Sequence, residues 1–215
     1  MASILLLQND LMVGEFLRKT LAAESHLHIA GQAGTLSQAR LLLQQAHVDV
    51  LVADLRFGEE RLIELLRERR HQGLEGRPQV LAIAMSPDDP YLMQALRHGA
   101  HGYYIHGSPA AALVRAVRQV LAGESPMSAP IARWLKSHFA PFDGSAAGAT
   151  RNALQRPGWT EPERQMLNRV SQGYLVHEIA REMQTSEHSV GVRTRLLYRK
   201  LQLELGGAAP AQQAA

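Results

Sequence analysis

The 215-residue chain contains no cysteine. That excludes a disulfide frame, thiol catalysis and thiolate metal sites. No apolar run approaches the roughly 20 residues that a membrane-spanning helix requires. The opening Met1-Ala2-Ser3-Ile4-Leu5-Leu6-Leu7 is short and lacks the basic lead of a secretory signal. A cytoplasmic, reducing location is therefore expected. There is no phosphate-cradling glycine loop and no nucleophilic serine context, so the chain reads as a non-enzyme. Internal repeats are absent, and the net charge is only +3.

The length suits two ordinary domains, and 46% hydrophobic residues suffice for two buried cores. Charge is unevenly spread. Residues 1–124 carry 12 Lys/Arg against 13 Asp/Glu, whereas residues 125–156 carry four against one and residues 157–215 seven against six. The front is neutral and the back mildly basic. The arginines concentrated in one predicted helix say more about nucleic acid than this balance does.

That helix belongs to the segment from Trp159 to Leu203. Thr160-Glu161-Pro162-Glu163 has the form of a capping box, in which Thr and Glu three residues apart satisfy free amides at a helix start. Met166, Leu167 and Val170 then recur at helical spacing. Gly173 follows as a C-cap, where a residue without Cβ can turn left-handed. A short helix with Glu178-Ile179-Ala180 is predicted over 175–183. Thr185-Ser186 can cap a third helix, from Glu187 to about Leu203. It buries Val190, Leu197 and Leu201 and shows Arg193, Arg195, Arg199 and Lys200 elsewhere. Helix, tight turn and capped basic helix are the parts that seat a helix in the major groove.

These residues resemble the LuxR-type helix-turn-helix of the NarL family of response regulators. The match spans about 45 residues without a gap: Thr160, Glu163-Arg164, Leu167, Gly173, Glu178-Ile179-Ala180, Ser186-Glu187, Ser189-Val190, Leu197 and Arg199-Lys200-Leu201. The resemblance implies DNA contact by His188, Ser189, Val192, Arg193, Arg195, Arg199 and Lys200, with Arg193 and Arg195 carrying much of it. Two positions depart from the family: Gly191 stands in place of a usual lysine and Arg193 in place of a usual histidine. Glycine inside a helix costs about 1 kcal/mol relative to alanine.

Upstream, apolar runs at 4–7, 27–33, 48–53, 80–85 and 103–105 alternate with helical stretches at 13–23, 37–46, 60–70, 91–98 and 109–122. Near-continuous apolar strands are those of a parallel sheet covered on both faces. The expected fold is an α/β, doubly wound, five-stranded parallel sheet of flavodoxin-like type, followed by a small all-α helix-turn-helix domain. Its ligand chemistry gathers at the carboxyl ends of the strands. In this order, ahead of a LuxR-type segment, the stretch resembles a response-regulator receiver. The expected division is a receiver-like domain at 1–124, a connector at 125–156 with a short helix at 131–136 anchored by Trp134, the helix-turn-helix at 157–205, and a disordered tail at 206–215. Residues 141–149 read as a flexible linker.

The resemblance implies an acceptor aspartate at Asp54, a hydroxyl at Ser86 and an aromatic switch at Tyr103. The rest of the site departs from the family. Its acidic pair falls on Gln8 and Asn9, with Asp10 one place late, and His106 stands where a lysine belongs. Neutral amides are poor Mg²⁺ ligands. At an effective dielectric of ~20, each lost charge pair near 4 Å removes about 4 kcal/mol. Histidine is shorter than lysine and, as a residue type, largely uncharged at neutral pH. The expectation is an atypical receiver that does not depend on phosphotransfer to Asp54 and has no resident metal or other cofactor.

Three readings follow. The first is a phosphorylation-independent regulator that binds double-stranded DNA as a homodimer. The second is a scaffold or antagonist pairing with another regulator protein. The third is a conventional phospho-activated regulator in which Asp10 turns inward and rescues Mg²⁺. Candidate dimer surfaces are the apolar faces of the helices at 13–23 and 109–122, with Leu113, Val114, Val117 and Val120 available and most of these also expected to serve the core. His98, His101 and His106 lie close in sequence but lack a carboxylate at ligand spacing, so no metal site is assigned to them. Glu59-Glu60-Arg61 reads as a solvated helix start and 67–70 as a solvated helix end. No arginine–aromatic cluster stands out as a nucleotide-ligand site.

Overall fold

The apolar runs form five parallel strands because each must be buried on both faces. The computed structural model describes residues 1–57, 60–74, 77–139 and 159–206. They fall into two compact units, Met1–Pro126 and Met127–Ala215.

The first unit contains β1 (Ala2–Leu7), α1 (Leu11–Ala22), β2 (Leu27–Ala33), α2 (Leu36–Gln45), β3 (Val50–Asp54), β4 (Arg56–Phe57), β5 (Glu60–Arg61), α3 (Leu62–His71), β6 (Gln79–Ala84), α4 (Pro90–His98), β7 (Gly102–Ile105) and α5 (Ala110–Leu121). The main sheet has the order β2-β1-β3-β6-β7, and all its pairs are parallel. Ile4, Leu6, Val50, Val52, Leu81 and Ile83 pack in one cluster with Leu17 and Leu21 of α1 and Leu113, Val117 and Val120 of α5. The alternate strand residues Leu5, Leu7, Leu51, Ala53 and Ala82 are equally buried and point to the opposite face. Each large side chain so buried contributes about 2 kcal/mol. The order puts β3 between β1 and β6, which fixes Asp54 at the centre of the sheet's carboxyl edge.

Three expectations for this unit are corrected. Residues 60–61 do not start a helix: they pair antiparallel with 56–57 as a short hairpin. The Leu62 amide donates to the Leu55 carbonyl at 3.1 Å, so α3 begins only at Leu62. Leu113, Val114, Val117 and Val120, most of them expected to serve the core, all do so at 0–9% exposure, which leaves none of them for a dimer surface. The α3 end is less solvated than expected. Glu68 accepts two hydrogen bonds from Arg40, at 2.8 and 2.6 Å, and Arg69 donates to the carbonyls of Leu74 and Arg77.

The second unit contains α6 (Ala129–Phe139), α7 (Glu161–Ser171), α8 (Val176–Glu182) and α9 (Glu187–Gly206). The connector helix is longer than predicted and packs against α7. Ile131, Ala132 and Leu135 are its buried residues. Trp134 is not the anchor, since it is half-exposed and stacks on His138 with ring centroids 4.9 Å apart. Arg133 donates to the Ser171 carbonyl at 3.1 Å. The expected linker at 141–149 and the tail from 207 lie outside the described residues, and Gly206 is the last residue of α9.

Candidate functional site

At the sheet's carboxyl edge, Gln8 is the pivot. It is 3% exposed. Its Nε2 donates to Asp54 Oδ2 at 2.8 Å, while its Oε1 accepts the Asp10 amide at 2.9 Å. The Arg56 amide donates to the other Asp54 oxygen at 3.2 Å. An amide donor therefore sits on the carboxylate, where a metal-binding acid would bring a second negative charge. Asn9 is exposed. Asp10 does not turn inward: it is the exposed N-cap of α1, accepting the amides of Met12 and Val13 at 2.8 and 3.1 Å. An N-cap of this kind satisfies donors that the helix leaves free.

The remaining predicted positions lie on or just after β6 and β7. Ser86 Oγ accepts the Asp88 amide at 3.2 Å. His106 follows β7, its amide bonded to the Ala84 carbonyl at 2.8 Å and its Nδ1 buried without a partner. Tyr103 is buried at 7% exposure. His101 and His106 stand at opposite ends of β7. Among the described residues no three His, Asp or Glu side chains converge as a metal site.

One grouping at this edge went unpredicted. The guanidinium carbons of Arg56 and Arg61 lie 5.4 and 5.0 Å from the centroid of the Tyr91 ring. The expectation of no arginine–aromatic cluster is thus corrected. Cross-strand pairing in the short hairpin puts the two arginines directly opposite each other, and Tyr91 reaches them from the first turn of α4.

In the second unit, the Thr160 amide donates to Glu163 Oε2 at 2.7 Å, one half of the expected capping box. Gly173 adopts φ +93°, the left-handed turn a Cβ would oppose. Ser186 caps α9, accepting the Ser189 amide at 3.1 Å. Val190, Thr194, Leu197, Tyr198 and Leu201 form the buried side of α9. Positions 188, 192, 195 and 199 follow helical spacing on the other side. His188 and Arg199 are exposed there, with Val192 and Arg195 half-buried; Arg193 is half-buried on an adjacent row. Burial pulls the Arg195 guanidinium down to about 10, with the Arg199 charge adding to the effect. It remains charged at neutral pH. Gly191 is buried, so the missing lysine leaves no gap on the exposed row.

Lys200 is placed differently from its neighbours. Its Nζ lies 2.6 Å from Glu163 Oε2, and the two side chains are only 20% and 8% exposed. Burial pushes the Glu163 carboxyl up, but the bonds from Lys200 and Thr160 outweigh that and hold it below the ordinary carboxylate range. Lys200 locks α9 to the start of α7. Ser189 shares its hydroxyl with Ser186 at 2.9 Å, so it too is engaged in the cap.

The fold and these two sites define a chain with a receiver-type first unit and a helix-turn-helix second unit. No family model matches it. Over 203 residues it is 26% identical to the nitrate/nitrite response regulator protein NarL of Escherichia coli K12, covering 94% of this chain and 90% of that protein. Over 204 residues it is 28% identical to the DNA-binding transcriptional activator DevR/DosR of Mycobacterium tuberculosis H37Rv, covering 95% and 90%. The solved structure of RcsB from Salmonella enterica serovar Typhimurium, bound to promoter P1flhDC, superposes with a TM-score of 0.55 at 17% identity, covering 94% of this chain and 92% of that one. Over most of its length the chain is thus similar to NarL-type response regulators. No helix among the described residues is long and apolar enough to cross a membrane.

Proposed function

We propose that the chain is a NarL-like DNA-binding transcriptional regulator whose receiver unit works without phosphotransfer to Asp54. In this reading residues 127–206 bind double-stranded DNA, and residues 1–126 set the geometry of a homodimer or take a different signal. The protein then acts in the cytoplasm, on paired half-sites, because one short recognition helix reads too few base pairs for selectivity.

The observation that carries the reading is the 2.8 Å bond from Gln8 Nε2 to Asp54 Oδ2. A phosphodonor needs that carboxylate free as a nucleophile and a cation beside it to offset the transferring charge. Here a neutral amide holds the oxygen, and Asp10 is engaged in capping α1. The DNA-binding half is supported by the cationic row of α9 and by the description of DevR/DosR as a DNA-binding transcriptional activator.

The test is labelling with a small phosphodonor and Mg²⁺, with Asp54→Ala as control. No Asp54-dependent label is expected. Stoichiometric label lost in Asp54→Ala returns the protein to the phospho-activated class.

A further inference from the structure

The hairpin β4–β5 sets two like charges against each other. Arg56 and Arg61 are directly opposed cross-strand partners, and like charges in that relation destabilise a strand pair. One aromatic ring meets both. Their guanidinium carbons lie 5.4 and 5.0 Å from the Tyr91 ring centroid, within the distance at which a ring face attracts a cation. That contact gathers the two side chains at one place without using up their hydrogen bonds, since each guanidinium has five N–H donors. Arg61 has a further interaction within the chain, and five donors suffice for that and for a ligand. Arg56 is exposed, and Arg61 and Tyr91 are half-buried, so the group opens to solvent. Two acids of the same edge are engaged elsewhere. Asp54 accepts from Gln8 and from the Arg56 backbone amide, and Asp89 accepts the Tyr91 amide at 2.9 Å. The Arg56 amide also ties the hairpin to the carboxyl edge of the sheet, where ligands of doubly wound folds collect.

We propose that Arg56 and Arg61, held over Tyr91, form a binding site for the phosphate group of a small soluble ligand. Guanidinium groups present paired N–H donors that match phosphate oxygens. An arriving dianion offsets the like charges that the hairpin brings together, so binding strengthens the β4–β5 pair. Tyr91 holds both long side chains near one position beforehand, which lowers the ordering that binding requires. The inference goes beyond the reading of Asp54 and does not depend on it. The site uses the arginine side chains, whereas Asp54 is held by Gln8 and by a backbone amide that a side-chain substitution leaves in place.

The test is a titration of the full chain with pyrophosphate, ionic strength being matched with sodium chloride, read on the ring resonances of its five tyrosines. Tyr91 is expected to shift saturably in the millimolar range. Tyr103, Tyr104, Tyr174 and Tyr198 should move no more than they do in chloride. Loss of one charge-assisted contact weakens binding about tenfold, so Arg56→Gln and Arg61→Gln should each raise the midpoint by about that factor. Arg56 is exposed, so its variant keeps the fold in any case. Asp54→Ala should retain the shift. The proposal is overturned if Tyr91 does not move, if all five tyrosines move alike, if either arginine variant binds as the parent does, if Asp54→Ala abolishes the shift, or if only a short DNA duplex moves Tyr91.

Discussion

Gln8 and Asp54 lie 46 positions apart and meet through a 2.8 Å hydrogen bond at the carboxyl edge of the sheet. The parallel register of β1 on β3, with Leu7 opposite Ala53, brings the residue that follows β1 within reach of the last residue of β3. A donor amide satisfies a carboxylate without help, whereas an acid at the same place repels it unless a cation intervenes.

Gln8→Asp should therefore make stability depend on magnesium. Replacing the donor with a like charge removes a hydrogen bond to a charged group, which is worth about 1.5–3 kcal/mol. Thermal melts are expected to show a lower midpoint without Mg²⁺ and recovery with it, most strongly in Gln8→Asp combined with Asn9→Asp. The parent should melt identically in both conditions.

Asp10→Ala should cost about 1 kcal/mol, the typical price of losing an N-cap, whether or not Mg²⁺ is present. A loss seen only in magnesium, by urea denaturation, would instead make Asp10 a metal ligand.

Lys200→Ala and Arg199→Ala separate holding from reading. Arg199 is exposed, and its loss should weaken duplex binding and lower the salt slope by about one. Lys200→Ala leaves Glu163 buried and unpaired. It should cost about 2–3 kcal/mol of stability, a mostly buried pair being worth somewhat less than a fully buried one, and should leave the salt slope unchanged. Fluorescence anisotropy over a salt series reads both.

The same pair sets an acid limit. The folded Glu163 carboxyl titrates below its ordinary value of 4.5, so its contribution is complete above that pH and is lost as pH falls through the folded value. Glu163→Gln should be less stable than the parent at neutral pH. Its stability should fall less steeply than the parent's below about pH 4.5, as measured by urea melts across that range.

The strands, the helix order and the caps at Thr160 and Ser186 were legible because they are local: apolar runs and side chains three residues apart carry their own signal. Gln8 and Asn9 could be placed at the acceptor edge by counting from a strand end. What they do there could not be read, since the Gln8–Asp54 bond depends on register between β1 and β3. The hairpin at 56–61 was missed because two-residue strands have no periodicity, and with it went the stacking of Arg56 and Arg61 on Tyr91. Lys200 looked like its arginine neighbours. Only the packing of α9 on α7, across 37 positions, shows that it faces Glu163. The α5 apolar positions looked available because a helix face that is wholly buried reads the same as one awaiting a partner.

Duplex binding by the purified, unmodified chain, compared with Asp54→Ala and with both proteins after Mg²⁺ and a small phosphodonor, tests the account most directly. It predicts equal affinities in all four samples, falling steeply and in parallel between about 50 and 200 mM salt. Binding that appears only after the phosphodonor and is lost in Asp54→Ala would contradict it.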